Sequence, residues 1–597
     1  MPALSLEIQP YAVLVILITM FTSVYMQWLK PTVAFLFAAL VLVIFGIITP
    51  RQVLEGFSNQ AIASVVIVIL LTAGIRENFN IELFLDKAFG RVKTYKAFLL
   101  SMMSKVALLS SFVNNTPVVV LMTPYVFSWG RKNNISPSKL LIPLSYATIL
   151  GGMITVIGTS TTLVLNGFLL ENKLSPINPI DLLVVGSAVA VICISFLVIF
   201  SSKLLPSRTD IIERFELNKR EYLIEKRLSD KSKLIGKSVT DGGLRNLNGV
   251  YLVEIIRNEQ LITPVSPSEI ILSEDILIFA GNTDNIIDLT LTDIGIELPP
   301  KLTPSTKGKV KVVEAVVSAN SSLLGKTVKE SNFRERYDAA VIAIHRNGEK
   351  LSGKIGRISL KAGDVLLMYT GDQFSGRVDL FKDLYIIAGE EKEIRPGRSN
   401  INKLYVMLSA IVVLLSGQFF NLFVSLLILL SLAVAMRLVT LKHVKRDLDI
   451  NLLIILVLSI SIGEAMINSG AGMLIGAGLV GLLSDYGCLA ILFGLMVVAT
   501  LLTSFITNVG AIAICFPLAL AISNELGLDG GPFFLAIAFA SSAAFLTPIG
   551  YQTNLIVYGP GGYNFRDFLK IGFPVTALYL LAAFLLIILL YKEQLMP

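Results

Sequence analysis

The chain has 597 residues, of which 54% are hydrophobic and only 16% charged, against roughly 25% charged residues in an ordinary soluble domain. The net charge is +7, and the three cysteines, Cys193, Cys488 and Cys515, all lie inside apolar runs. These values exclude a large soluble enzyme, a disulfide scaffold and a zinc centre of paired cysteines; without a long Lys/Arg run, the positive balance reads as the basic bias of cytoplasmic loops rather than as nucleic-acid binding.

Apolar segments fill residues 11–203 and 403–591, and a polar stretch separates them. Uncharged runs such as 404–436, 486–524 and 530–565 each exceed the ~20 residues needed to cross a bilayer. A polytopic α-helical membrane protein with a soluble insert follows. Residues 1–10 lack a basic n-region and a small-residue cleavage site, so 11–29 is expected as a retained span, not a signal peptide. Further spans are expected at 31–49, 59–75, 97–129, 139–168 and 180–202, and then at 403–417, 419–436, 450–468, 471–503, 508–524, 531–558 and 570–591. Two of these are interrupted, at Asn114-Asn115-Thr116-Pro117 and around Gly158-Thr159-Ser160. Re-entrant hairpins and broken helices account for them, because non-helical backbone at membrane depth needs protein or a watery cavity around it. Basic residues at 437–446 (RLVTLKHVKR), and Lys203, Arg208, Lys219, Arg220, Lys392, Arg395 and Arg398 flanking the insert, place these segments in the cytoplasm.

Two blocks recur in both apolar halves. SFVNNTPVVVLMTP (111–124) aligns with SFITNVGAIAICFP (504–517) at an offset of 393, and GTSTTLVL (158–165) with GYQTNLIV (550–557) at 392. Paired broken segments at corresponding positions point to a midplane binding site of a secondary transporter, commonly built from inverted repeats. Helix N-termini exposed at such breaks turn N–H groups and the positive dipole end towards an anion. Asn, Thr and Ser there can also offer oxygens to a cation. Interhelical hydrogen bonding by the same residues, with Gly151, Gly152 and Gly158 for close contact, is the structural alternative.

Glu464, in LSISIGEAMINSG, is the most isolated acid of the second half and a functional candidate by its setting. Lys105 is expected to serve structure. His345 and His443 are the only histidines. The insert is itself duplicated at an offset of 89: Leu234-Ile235-Gly236-Lys237-Ser238-Val239 matches Leu323-Leu324-Gly325-Lys326-Thr327-Val328, Arg257-Asn258 matches Arg346-Asn347, and Asp275-Ile276-Leu277 matches Asp364-Val365-Leu366. Short β-rich runs with glycine turns fill each copy; neither Gly-Lys pair is a phosphate-binding loop, because the upstream Gly is missing. The expected domains are a membrane half at 1–203, insert domains at 204–300 and 301–400, and a membrane half at 401–597.

With GGMITVIGTSTTLVLNG and AAFLTPIGYQTNLIVYG, the repeated blocks resemble the paired signature loops of the divalent anion/sodium symporters, within the wider ion transporter superfamily. The insert resembles two tandem C-terminal regulatory domains of potassium uptake and conductance proteins (RCK-C domains). The resemblance implies a homodimer whose transport domain moves against a scaffold as an elevator, sodium as coupling ion, and a small-molecule ligand for the insert. It implies an anion held by Asn114, Asn115, Thr116, Thr507, Asn508, Thr553 and Asn554. The cation would be held by Ser111, Asn115, Gly158, Thr159, Ser160, Thr161, Asn508 and Gly550. Asn114 replaces the family's Ser, and Val509 removes a hydroxyl that dicarboxylate carriers usually supply, which suits a compact oxyanion such as sulfate.

The expected function is sodium-coupled symport of sulfate or a similar divalent anion in a bacterial inner membrane, tuned by a cytoplasmic insert; the chain is not an enzyme. The alternatives are a dicarboxylate carrier, a cation/proton antiporter using an intramembrane acid such as Glu464, and a membrane sensor of sulfur status without net flux. A potassium channel is set aside because no TVGYG-like filter occurs.

Overall fold

The computed structural model describes residues 5–25 (save 6), 28–29, 31–78, 94–208, 223–228, 232–244, 250–257, 260–262, 264–281, 296–297, 311–318, 321–346, 349–351, 355–371, 373–374, 377, 383–388, 422–440 and 450–596 (save 506 and 549). In the first half the helices are α1 (Gln9–Tyr25), α2 (Pro31–Ile44), α3 (Pro50–Glu55), α4 (Gln60–Asn78), α5 (Tyr95–Ser110), α6 (Asn115–Lys132), α7 (Leu141–Gly152), α8 (Ser160–Glu171) and α9 (Pro179–Leu204).

The run 97–129 divides where expected, between α5 and α6. Pro117, at the third position of α6, lacks the N–H that an uninterrupted helix would need there, and its ring disfavours helical backbone at Thr116 only weakly because the first turn tolerates proline. The run 139–168 divides between α7 and α8, where Thr159 takes extended backbone (φ −135°, ψ 145°) and its side chain accepts from the Thr161 N–H, a cap that starts the new helix.

The second half holds α11 (Leu422–Ala435), α12 (Ile450–Asn468), α13 (Ala471–Leu483), α14 (Cys488–Phe505), α15 (Asn508–Leu526), α16 (Gly531–Ser542), α17 (Gln552–Tyr558) and α18 (Phe565–Leu590), and the short α10 (Phe333–Tyr337) belongs to the insert. The expected span 403–417 lies outside the described residues. The expectation of one span over 471–503 is corrected: the chain turns between α13 and α14, where Gly487 has φ 84°, a left-handed conformation that favours glycine. A 68° bend separates α12 from α13, with Gly470 at φ 74°. The run 531–558 also divides, between α16 and α17. Among the described residues, Pro179–Leu204, Asn508–Leu526 and Phe565–Leu590 are the helices long and apolar enough to cross a membrane unbroken.

The succession α5, α6, α7, α8, α9 is repeated by α14, α15, α16, α17, α18, and the packing repeats with it. Helix α5 packs on α7 as α14 packs on α16. Across the halves the contact is reciprocal: α8 of the first half lies against α15 of the second, and α17 of the second lies against α6 of the first. Phe168 and Phe516 stack at the former contact with ring centroids 5.1 Å apart. A single buried apolar cluster runs through both halves. Arg208, one of the basic residues at the insert junction, pairs with Asp567 at 2.7 Å and donates to the Gly562 carbonyl, tying the chain after α9 to the start of α18.

The insert forms two five-stranded antiparallel sheets. The first contains β1 (Leu223–Leu228), β2 (Val250–Arg257), β3 (Gln260–Ile262), β4 (Ile276–Gly281) and β5 (Ile296–Glu297). The second contains β6 (Lys311–Val317), β7 (Ala339–Arg346), β8 (Glu349–Lys350), β9 (Val365–Thr370) and β10 (Leu384–Ala388), with the short α10 (Phe333–Tyr337) before β7. Their strand orders, β3-β2-β4-β1-β5 and β10-β6-β9-β7-β8, are the same topology read from opposite edges. Each sheet carries a register irregularity at the matching place, Leu252/Glu254 and Val341/Ala343.

The Arg and Asp of the 89-residue repeat form equivalent ion pairs. Arg257 meets Asp275 at 2.9 Å and Arg346 meets Asp364 at 2.7 Å, and both carboxylates are fully buried. Hydrogen bonding to these carboxylates raises both guanidinium pKa values further above the ordinary range. Removing the cation would strand a buried carboxylate, which costs about 3–5 kcal/mol. Arg346→Met is therefore expected to lower the unfolding temperature of the purified chain markedly, and Arg346→Met combined with Asp364→Leu to recover much of that loss; equal unfolding of wild type and the single variant would show the pair to be dispensable.

Candidate functional site

The two breaks are stapled in the same way. Ser110 donates to Asn115 Oδ1 at 2.6 Å, and Thr503 donates to Asn508 Oδ1 at 2.8 Å. The Thr155 hydroxyl donates to the Ser111 carbonyl, and that of Thr547 to the Ser504 carbonyl at 2.5 Å. The Gly158 N–H then donates to Thr155 Oγ1 at 3.2 Å and the Gly550 N–H to Thr547 Oγ1 at 3.0 Å. Glycine is required at both places by close approach: a Cβ on Gly158 would lie 2.9 Å from the Ser110 carbonyl oxygen, and one on Gly550 2.8 Å from that of Thr503. Each half thus locks one asparagine at a helix start to a glycine loop by hydroxyl groups alone.

Further hydrogen bonds cross between the halves at this site. Asn115 Nδ2 donates to the Tyr551 hydroxyl at 2.9 Å, and the Thr116 hydroxyl donates to Gln552 Oε1 at 3.4 Å. The Ser145 hydroxyl donates to Asn554 Oδ1 at 2.7 Å and lies 2.9 Å from Thr553 Oγ1. Asn115, Thr159, Thr161, Asn508, Thr553 and Asn554 are buried. What converges here is a set of hydroxyls, amides, carbonyls and the N-termini of α6, α8 and α15, without a charged side chain in these contacts. Dipole ends and N–H groups of that kind favour an anion, while the carbonyl and hydroxyl oxygens suit a hard cation.

The expected residues divide by how their bonding capacity is used. Asn115 and Asn508 keep amide N–H groups beyond the hydroxyl staple. Asn114 starts α6 without a side-chain cap. The exposed Thr507 accepts from the Gly510 N–H at 3.2 Å through its hydroxyl oxygen, which leaves the O–H itself to donate. Asn554 donates through Nδ2 to the Ala544 and Thr547 carbonyls, at 2.7 and 3.0 Å, so both amide hydrogens hold the loop and neither faces an anion. Ser111 donates its hydroxyl to the Leu108 carbonyl, and Ser160 is half-buried at the first position of α8. Glu464 stands apart: its carboxyl meets that of Glu171, at the far end of α8, about 17 Å of helix from the break.

Ser110, Thr503, Thr155, Thr547, Ser145, Tyr551 and Gln552 join the site without having been expected there. Extending both alignments upstream would have caught four of them, since Ser110/Thr503 and Thr155/Thr547 fall on the same offsets as the recognised blocks.

The second sheet of the insert is seated on this region. Val316, Val365 and Ile387 belong to the same buried cluster as Ile556, Val557 and Tyr558 of α17, and β10 packs on α6. A Cβ on Gly559 would fall 2.2 Å from Val365 Cγ2. Gly363, at φ 82°, faces Leu555 and Tyr558, whose nearest atoms would lie 3.6 and 3.9 Å from a Cβ there. The matching residue of the first copy, Glu274, adopts φ 66° with a full side chain, so both copies share the left-handed turn, and in the second it meets α17 at ordinary van der Waals distance. A small cavity at the seam is lined by Val316, Val317, Ser318, Tyr385, Gln552, Leu555 and Ile556, which puts a partner of Thr116 directly under the sheet.

The chain matches the citrate transporter family over residues 13–426 and 411–597. It is 31% identical to an uncharacterized transporter of Synechocystis sp. over 98% of this chain and 97% of that protein. It is also 31% identical, over 90% of this chain and 95% of the relative, to a Chlamydomonas reinhardtii protein named provisionally as a sulfur deprivation response regulator. Sodium/sulfate cotransporter 1 of Chlamydomonas reinhardtii is 30% identical over 58% of this chain and 41% of its own length. Matched across both membrane halves and nearly end to end by a transporter, the chain belongs to the citrate transporter family as a permease of the divalent anion/sodium symporter kind, a multi-pass membrane carrier and not an enzyme.

Proposed function

We propose that this carrier is a sodium-coupled symporter of sulfate or a similar compact divalent anion, with the insert regulating it. The observation that carries the reading is the duplicated staple that holds Asn115 and Asn508 at two helix starts beside Gly158 and Gly550. In this reading the anion is bound by Asn114, Asn115, Thr116, Thr507, Asn508 and Thr553, with Asn554 holding the loop. Sodium takes oxygens around Ser111, Gly158, Thr159, Ser160, Thr161 and Gly550. The name of the sodium/sulfate relative supports both ions. Reciprocal packing of α8 on α15 and α17 on α6 supports two inverted repeats, 1–203 and 401–597. Elevator motion within a homodimer, RCK-C identity for 204–300 and 301–400, a small-molecule ligand for them, a cytoplasmic insert and a bacterial inner membrane complete the proposal.

Sulfate uptake into proteoliposomes tests it. Accumulation beyond equilibration is expected under an inward sodium gradient and not when potassium replaces sodium; accumulation indifferent to sodium would sink the coupling. The name of the sulfur deprivation response relative favours a second reading, a sensor that binds sulfate without moving it. Sulfate binding to the detergent-purified chain, with no flux under any gradient, would select that reading.

A further inference from the structure

We propose that Tyr551 is the residue that limits the anion to a compact oxyanion; the inference rests on the anion-carrier reading above. The two loops agree contact for contact through Ser110/Thr503, Asn115/Asn508, Thr155/Thr547 and Gly158/Gly550. The agreement ends at the next residue, where the first half has Thr159 and the second Tyr551. Both are the residue before their helix and both are extended, with φ −135° and −147°. Backbone shape is therefore shared, and the side chain alone differs.

Thr159 turns back on its own helix, 3.1 Å from Thr161 Oγ1. Tyr551 makes no cap bond and sends its phenol across to the other half. There its oxygen accepts from Asn115 Nδ2 at 2.9 Å and lies in hydrogen-bonding reach of Thr159. The Asn115 amide has little freedom to turn away. Its Oδ1 is held by Ser110, and it lies so close on Gly152 that a Cβ there would meet Oδ1 at 2.7 Å.

An aromatic ring thus occupies the junction of the two loops, in space that a threonine at the equivalent position leaves open. A tetrahedral oxyanion presents all its oxygens around one centre and can be held beside the ring. A dicarboxylate needs donors at two separated ends, and the ring stands between the loops that would supply them. The phenol also brings an O–H to a site whose second loop has the buried Val509 in place of a hydroxyl residue. A site built around such polar contacts discriminates strongly when one is lost, whereas changes of bulk alone are worth roughly 10–200-fold.

The test compares wild type, Tyr551→Thr and Tyr551→Phe in proteoliposomes, reading sulfate uptake and its competition by succinate. Wild type is expected to exclude succinate. Tyr551→Thr, which restores the residue of the first half, is expected to let succinate compete about tenfold or more better and to carry it. Tyr551→Phe keeps the ring and is expected to go on excluding succinate while its KM for sulfate rises severalfold. Succinate exclusion unchanged in a folded Tyr551→Thr, or succinate carried by wild type, would overturn the inference; if Tyr551→Thr does not reach the membrane, Tyr551→Phe decides it, an unchanged KM for sulfate counting against. Wild type that moves no anion would instead overturn the carrier reading itself, an outcome seen before any variant is made.

Discussion

Asn115→Ala is expected to reduce transport by roughly thirtyfold or more while leaving the protein folded and in the membrane. The side chain is 2% exposed and serves two partners at once, accepting from Ser110 and donating to Tyr551. Its removal leaves both hydroxyls without this amide, at about 1–3 kcal/mol each, and every ~1.4 kcal/mol added to the transport barrier slows uptake about tenfold. It also removes an N–H from the start of α6, where an anion would be met. Initial rates of sulfate uptake, with thermal unfolding of the same preparations, check this; a folded Asn115→Ala that transports at the wild-type rate would falsify the assignment of the first loop. Asn508→Ala is expected to reduce transport in the same direction but less, because Thr503 keeps its hydrogen bond to the Ser541 carbonyl at 2.6 Å.

Locking the insert onto α17 is the second large effect expected. Val365 and Gly559 approach so closely that a Cβ at 559 would sit 2.2 Å from Val365 Cγ2, which brings the two Cβ atoms within the ~3.5–4.5 Å of a disulfide. The pair Gly559→Cys with Val365→Cys, made without Cys193, Cys488 and Cys515, should cross-link under oxidation. If the sheet must shift on α17 for the site to open, the oxidised protein loses at least nine-tenths of its uptake, roughly a tenfold effect or about 1.4 kcal/mol, and a reductant restores it. Full uptake by the cross-linked form would mean that the sheet travels with α17 as passive ballast, and the regulatory role would fall.

The breaks in the helices were legible because prolines, asparagines and glycines recur at fixed offsets in both halves. The residues that staple them were partly hidden by chemistry: Ser110 and Thr503 do the same job with different names, so identity matching passes over them. Tyr551 was hidden for the opposite reason, being the place where the duplicated pattern is broken. The turn between α13 and α14 was missed because Leu482, Leu483 and Leu489 surround it and hydropathy averages across Asp485 and Gly487. The paired sheets were foreshadowed by the offset of 89, with Arg346 and Asp364 keeping the spacing of Arg257 and Asp275. Where the second sheet rests was not legible, since Val316, Val365 and Gly363 meet α17 only through tertiary contact and carry no local signature.

The reciprocal embrace of the halves sets the order in which the molecule can be made. Helix α8 leaves the ribosome long before α15, its partner, because residues 172–507 intervene. At ~5–20 residues per second the wait is roughly 15–70 s, during which the face of α8 that carries Phe168 must be covered by lipid or by another protein. The insert is synthesised within that interval, so its two sheets can fold before α17, the helix on which the second will rest, has been inserted. Assembly of the site is then a late event of synthesis, completed only when α15 and α17 arrive.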